Sequence, residues 1–223
     1  LGDGVPWERG PLARTLWPAN SIFAGQFSAM QNPLGWYSRG YLPHFDDGHS
    51  LQVVTYRLAD ALPAQAIARM EEQSMDDEGR RDEIERYIDA GYGSCVLRFP
   101  KNATSVIDNW RHHHGSAYWL HAWVVMPNHV HVLIEPLKGT TLPRIVHAWK
   151  SYSAKVILKT NAGEPPALPA KRQLWQPDYW DRYIRNERHY RSTIDYIHQN
   201  PVKASLVARA EEWPWSSASI PEK

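Results

Sequence analysis

The sequence contains one cysteine, Cys95. A single thiol excludes an internal disulfide framework and a multi-cysteine zinc site, and it fits a reducing cytosol. Cys95 lies in the apolar run Cys95-Val96-Leu97 and reads as a small core residue. No apolar run is long enough to span a membrane, and no basic-then-apolar segment opens the chain, so membrane partners are not expected. A dominant charge sign is also missing, because the formal net charge is +1. That near-neutrality hides an uneven spread. Lys138 to Arg209 holds thirteen Lys or Arg against five Asp or Glu, whereas Asp60 to Ala90 holds four basic residues against ten acidic ones. A basic C-terminal half fits either a polyanion partner or a solvated surface. The acidic stretch reads as a solvated helix face.

Aromatic residues are abundant, with eleven Trp and eleven Tyr. They can pack a core, and their flat faces can also stack on bases. A chain of 223 residues suffices for one core with an extension. Residues 1–33 show no clear period and read as an extended or poorly ordered N-terminal segment. The β-branched run from Gln52 to Leu58 predicts a strand. Ala64 to Ala90 is rich in helix formers and is stopped by Gly91-Tyr92-Gly93. Ala103 to His113 predicts a second helix, with His112-His113-His114 at its exposed end. Tyr118 to Met126 and His129 to Glu135 predict two strands of a hairpin, broken at Pro127-Asn128. Leu142 to Lys159 predicts a helix, Asn161 to Ala170 a Pro-rich loop, and Leu174 to Ile184 a short strand. Asn186 can cap a helix running to Gln199 that stops at Asn200-Pro201. This alternation predicts one α+β domain with a mainly antiparallel sheet.

Side chains alternate faces along a strand. In His129-Val130-His131-Val132-Leu133-Ile134 the two histidines therefore share one face, and Val130, Val132 and Ile134 share the other. Two imidazoles at that spacing can hold one metal ion while the apolar face is buried. On the last helix Tyr190, Ile194 and Ile197 form an apolar stripe. Tyr196 falls about 120° from its centre, beside His189, Ser192, Thr193 and Asn200. A tyrosine there is a candidate nucleophile or a half-buried surface aromatic. Asn200, one turn beyond it, offers an amide oxygen as a third ligand, or it serves as a helix C-terminal residue. Phosphodiester cleavage calls for such parts. A tyrosine hydroxyl can form a covalent intermediate, and a divalent ion can steady the developing charge.

Two segments carry a resemblance. Ala122-Trp123-Val124-Val125-Met126-Pro127-Asn128-His129-Val130-His131-Val132-Leu133 resembles the signature of REP-associated tyrosine transposases, within the single-tyrosine HUH (His-hydrophobic-His) superfamily of bacteria. Tyr196-Ile197-His198-Gln199-Asn200-Pro201-Val202-Lys203-Ala204 resembles their second signature. Trp36 to His44, Trp175-Gln176 with Asp181-Arg182, and Trp213 to Ser217 also match. The likeness covers about residues 34–219 and implies a single transposase domain there, with 220–223 as a tail. It implies a ferredoxin-like (RRM-like) sandwich and Mg or Mn at His129, His131 and Asn200. In related transposases the third ligand is often Gln, so Asn200 keeps the amide but shortens its reach. The resemblance further implies that Tyr196 attacks a scissile phosphate, leaving a 5′-phosphotyrosine and a free 3′-hydroxyl. The implied substrates are single-stranded DNA hairpins of repeated extragenic palindromes. A cytoplasmic, nucleoid-associated monomer or homodimer is expected. Arg39, Lys150, Arg182, Arg185 and Lys203 are candidate DNA contacts, each also readable as an ordinary surface charge. Trp149, Trp175 and Trp180 can stack on bases, but core packing is the expectation for each.

Two alternatives compete with the transferase. A domesticated relative would hold DNA hairpins without cutting them. A metallonuclease would use water and survive loss of Tyr196. That second reading calls for another acidic ligand, and Glu135 is expected on the opposite strand face from the histidines.

Overall fold

The computed structural model describes residues 35–38, 43–63, 65–67, 69, 77–160 and 173–220. The expected N-terminal arm, Arg39, the Pro-rich loop and the last three residues lie outside the described residues. Among the described residues there are six strands: β1 (Gly35–Ser38), β2 (Pro43–Asp46), β3 (Gln52–Arg57), β4 (Tyr118–Val125), β5 (His129–Pro136) and β6 (Trp180–Tyr183). Among the described residues the α-helices that position the site are α1 (Asp77–Asp89), α2 (Pro100–His113), α3 (Leu142–Thr160) and α4 (Glu187–Lys203).

The main sheet has the order β4-β5-β3-β6, with every pair antiparallel. Counted along the chain, its strands run 2-3-1-4, with helices in both crossovers. That is the expected ferredoxin-like arrangement, and the predicted hairpin supplies two of its strands. Val130, Val132 and Ile134 bury on one face with Val54 and Tyr56. α2 adds Ala103, Val106 and Trp110 there, and α3 adds Ile145, Val146 and Trp149. Each Val or Ile among these contributes about 1.5–3 kcal/mol on burial. On the other face Leu133, Ala122 and Val124 pack with Ile197 of α4 and with Trp213.

Three tryptophans in the main core have partners for their N–H groups. Trp110 donates to the Tyr56 hydroxyl at 3.1 Å, Trp149 to the Tyr118 hydroxyl at 2.7 Å, and Trp175 to Ser153 Oγ at 2.9 Å. Core packing, rather than a base-stacking surface, is thus the role of Trp149 and Trp175, and Trp180 packs on the same cluster. β4 reaches both cores because its register shifts between Leu120 and Ala122. The extra residue, His121, moves Trp123 and Val125 onto the face of Leu120, and puts Ala122 and Val124 opposite.

Three features depart from the sequence expectations. First, β1 and β2 form a separate hairpin where no strand was expected. It is fastened by His44, whose side chain is fully buried. Nδ1 of His44 meets Asp181, and Nε2 lies 3.1 Å from Asp178. Burial alone would push this imidazole down, but the hydrogen bonds and charges of Asp178 and Asp181 prevail and raise it to about 9. Second, α4 does not stop at Asn200 but runs through Pro201 to Lys203. Pro201 lacks an N–H and cannot bond the carbonyl four residues back, a loss tolerated here in the last turn. Ala204 N still bonds Asn200 O at 3.0 Å, and Leu206 N bonds Pro201 O at 2.9 Å. Third, Glu135 shares the strand face of the histidines, since a four-residue step preserves strand parity. Distance along β5 keeps it from them, and its carboxylate meets His121 Nε2 at 3.6 Å.

Candidate metal and nucleophile site

β5 is a central strand, so its histidine face is flanked on both sides. His131 pairs with Thr55 of β3 and with Val124 of β4. α4 lies over this face, anchored by buried Ile197. Its start is fixed by Asn186, whose Oδ1 accepts from His189 N at 2.9 Å. Both imidazoles are fully buried, 0% exposed. A pair of histidines sealed in this way must be neutral or paired with charge.

The hydrogen bonds decide which nitrogens are available. Asn128 donates its Nδ2 to Tyr92 O at 2.9 Å, which turns Oδ1 toward His129 Nδ1 at 2.8 Å. An amide oxygen only accepts, so Nδ1 of His129 carries the proton and Nε2 keeps its lone pair. His131 Nδ1 lies 2.7 Å from Thr55 Oγ1, a hydroxyl able to accept the same kind of proton. Nε2 of each ring is buried without a hydrogen-bond partner. Burial holds His129 well below the usual histidine range, helped by His131 and opposed by Asn200. Burial and the charge of Lys203 bring His131 down to about 3, again against Asn200. Both rings are therefore neutral lone-pair donors at neutral pH.

Asn200 is 2% exposed and donates its Nδ2 to Tyr196 O at 3.1 Å. Its Oδ1 is then the atom that can favour protonated imidazoles. Two orphaned Nε2 atoms beside an amide oxygen fit a divalent ion of mixed nitrogen and oxygen preference. Among the described residues no three His, Cys, Asp or Glu side chains form a cluster able to hold an ion by themselves. An ion held by this pair of imidazoles thus draws on the amide.

Tyr196 stands beside this set, its ring centroid 5.2 Å from that of His131 at 73°. It is half-buried and packs on the Ile197 cluster. Because α4 continues past Pro201, Tyr196, Asn200 and Lys203 follow the i, i+4, i+7 spacing of one helix face. Lys203 Nζ accordingly lies 4.8 Å from the Tyr196 ring centroid. A cavity of about 340 Å³ opens beside Tyr196, between β3, β6, α1 and α4, with Thr55, Arg57, Arg182 and His189 in its wall. Arg182 and Arg185 both act on His189, whose imidazole is lowered by burial and then by these two charges.

The structure thus brings together His129, His131, Asn200, Tyr196 and Lys203, with Arg182 on the wall of the adjoining cavity. It does not bring Lys150 to them. That ammonium donates to Pro177 O at 2.7 Å and Asp178 O at 3.1 Å. It also lies 6.0 Å from the ring of Tyr56, on the opposite face of the sheet. Burial lowers it to about 8, with Asp178 opposing and Arg57 assisting. Sequence reasoning missed Asn128 and Thr55, which orient the imidazoles. The Asn128-His129 adjacency was the available signal for the first, while the second depends on β3–β5 register.

Residues 101–200 match the family model described as "Transposase IS200 like". Over 98 residues the chain is 34% identical to the REP-associated tyrosine transposase of Escherichia coli (strain K12), covering 44% of this chain. The match spans about half, 53%, of that curated relative's length. The solved structure of a REP-associated tyrosine transposase bound to a REP hairpin aligns with a TM-score of 0.48 and 22% identity, covering 81% of each chain. No helix among the described residues is long and apolar enough to cross a membrane. Residues 101–200 are thus similar to IS200-like transposases, and a REP-associated tyrosine transposase is among the proteins that the chain resembles.

Proposed function

We propose that this protein cuts and rejoins single-stranded DNA through a covalent bond to Tyr196. The observation that carries the reading is the placement of Tyr196 against His131, whose lone-pair nitrogen is buried without a partner. In the cleavage step Tyr196 Oη forms a bond to the scissile phosphorus and gives up its proton. The bond from phosphorus to the 3′ oxygen breaks, and that oxygen takes up a proton to leave as a 3′-hydroxyl. The 5′ phosphate stays on the tyrosine. Attack by another 3′-hydroxyl reverses the step and rejoins the strand, so the phosphodiester energy is conserved.

A phenol with a pKa of about 10 needs help at neutral pH. Lys203, whose ammonium lies 4.8 Å from the Tyr196 ring centroid, supplies positive charge beside the nucleophile for the reacting phosphate. Mg or Mn would be held by Nε2 of His129, Nε2 of His131 and Oδ1 of Asn200. When bound, such an ion polarises a phosphoryl oxygen and offsets the charge developing there. Asn128 and Thr55 keep both rings aimed. Arg182, Arg185 and Lys203 are positioned to neutralise phosphates of the bound strand. The substrates proposed are hairpins of repeated extragenic palindromes, presented as single strands.

The test is incubation with labelled single-stranded hairpins from repeats flanking the gene, in Mg or Mn, followed by a denaturing gel. A covalent protein–DNA band that disappears in Tyr196→Phe, with DNA binding retained, is the expected result. Cleavage that persists in Tyr196→Phe would mean that water is the nucleophile. Hairpin binding with no cleavage and no band would overturn the transferase reading in favour of a binding protein.

A further inference from the structure

α1 carries part of the acidic stretch that the sequence reads as a solvated face, and its last residue, Asp89, comes close to the histidines. Asp89 Oδ1 lies 3.7 Å from Nε2 of His129, the nitrogen left with a free lone pair. This separation is too long for a hydrogen bond, and the ring's proton sits on Nδ1. Among the described residues the Asp89 carboxylate has no hydrogen-bond partner. Two lone-pair groups facing each other across that gap repel unless a cation lies between them. Two oxygen or nitrogen ligands about 2.1 Å from one ion lie about 3 Å apart at neighbouring octahedral positions. As the side chains stand, Asp89 and the two histidines do not form a metal-holding cluster, and the 42% exposed Asp89 side chain completes one only by rotating toward His129. Burial and then Glu85 raise the Asp89 carboxyl while Lys203 opposes them, so Asp89 lies within electrostatic reach of the same ammonium that acts on His131.

We propose that Asp89 is a fourth protein ligand, making the centre two imidazoles, one amide and one carboxylate. The proposal rests on the reading of His129, His131 and Asn200 as a divalent-metal site. A carboxylate adds a hard, charged oxygen to a set that is otherwise neutral. That favours Mg or Mn over metals better suited to imidazole alone.

The test uses the full chain, stripped of metal, titrated with Mn while the free ion is followed by electron paramagnetic resonance. Asp89→Asn and Asp89→Ala are compared with His131→Ala and with Glu85→Gln, a neighbouring carboxylate offered as a charge control. Circular dichroism melting checks that each variant is folded. The expected result is at least about a tenfold weaker Mn affinity in both Asp89 variants, with a much smaller effect in Glu85→Gln. Unchanged affinity in the Asp89 variants, with loss in His131→Ala, would overturn the proposal and leave the metal centre intact. Equal losses in Asp89→Asn and Glu85→Gln would reduce Asp89 to a distant charge and also overturn it. Affinity insensitive to His131→Ala would remove the metal centre itself, and the proposal with it.

Discussion

Raising the pH should loosen this protein in a window set by His44. The imidazole is raised from 6.5 to about 9 because Asp178 and Asp181 grip it in a buried position. A folded-state pKa above the unfolded one contributes stability that is complete below the unfolded value. That stability is lost as pH climbs toward and through the folded value. The window here runs from about 6.5 to about 9. At 1.36 kcal/mol per pH unit, the full contribution is on the order of 3 kcal/mol. Urea denaturation at half-unit steps from pH 6 to pH 10 measures it directly. Other groups titrate in the same range, so the decisive quantity is the difference between the wild type and His44→Gln. The wild type should lose about 3 kcal/mol more than the variant across the window. Parallel stability curves for the two proteins would refute the argument. They would mean that His44 is held neutral, or that the hairpin separates from the sheet without affecting global unfolding.

Other substitutions probe the site and its supports. Asn128→Ala removes the acceptor that orders His129 and the donor to Tyr92 O. It should cost about 1–3 kcal/mol in urea denaturation and about tenfold or more in Mn affinity. Normal values for both would show that His129 needs no orienting partner. Lys203→Gln should weaken hairpin binding and lower the slope of log affinity against log salt by about one, read by titration at several salt concentrations. An unchanged slope would place Lys203 off the phosphate path. Gly93→Ala should destabilise the fold by about 1–3 kcal/mol in thermal melting. The backbone there has φ +91°, and an added Cβ would meet Asp60 O at 2.5 Å. A wild-type melting temperature would mean that this turn relaxes freely.

How much of this was legible in the sequence depended on the range of the interactions involved. Tyr118 to Glu135 is a long β-branched and aromatic stretch with one clear break, so both strands and the shared face of His129 and His131 follow from alternation alone. The β1–β2 hairpin was not legible, because its strands have four residues each and one begins with proline. Its hold on the sheet comes from His44 reaching more than 130 positions along the chain to Asp178 and Asp181. The end of α4 was misread because proline usually marks a helix boundary, and here the last turn accommodates it. Tyr196 and Asn200 were placed by helical arithmetic regardless. Lys203 joins their face through the continuation that the proline rule forbids. Asp89 sits in an acidic run of ordinary appearance, and the end of α1 meets the sheet by tertiary packing that no local pattern encodes.

The register shift at His121 bears on how this chain should be lined up against its relatives. β4 alternates one way before that residue and the other way after it. A homologue lacking the extra residue cannot keep both halves of the strand in phase. It must either flip the residues ahead of the shift or turn Ala122 and Val124 away from the helix that bears the tyrosine. Gaps at this position are therefore not neutral bookkeeping in an alignment. A single-residue deletion there should be accompanied by compensating changes on α2 or α4, and families that show the deletion without them would have rebuilt the floor of the site.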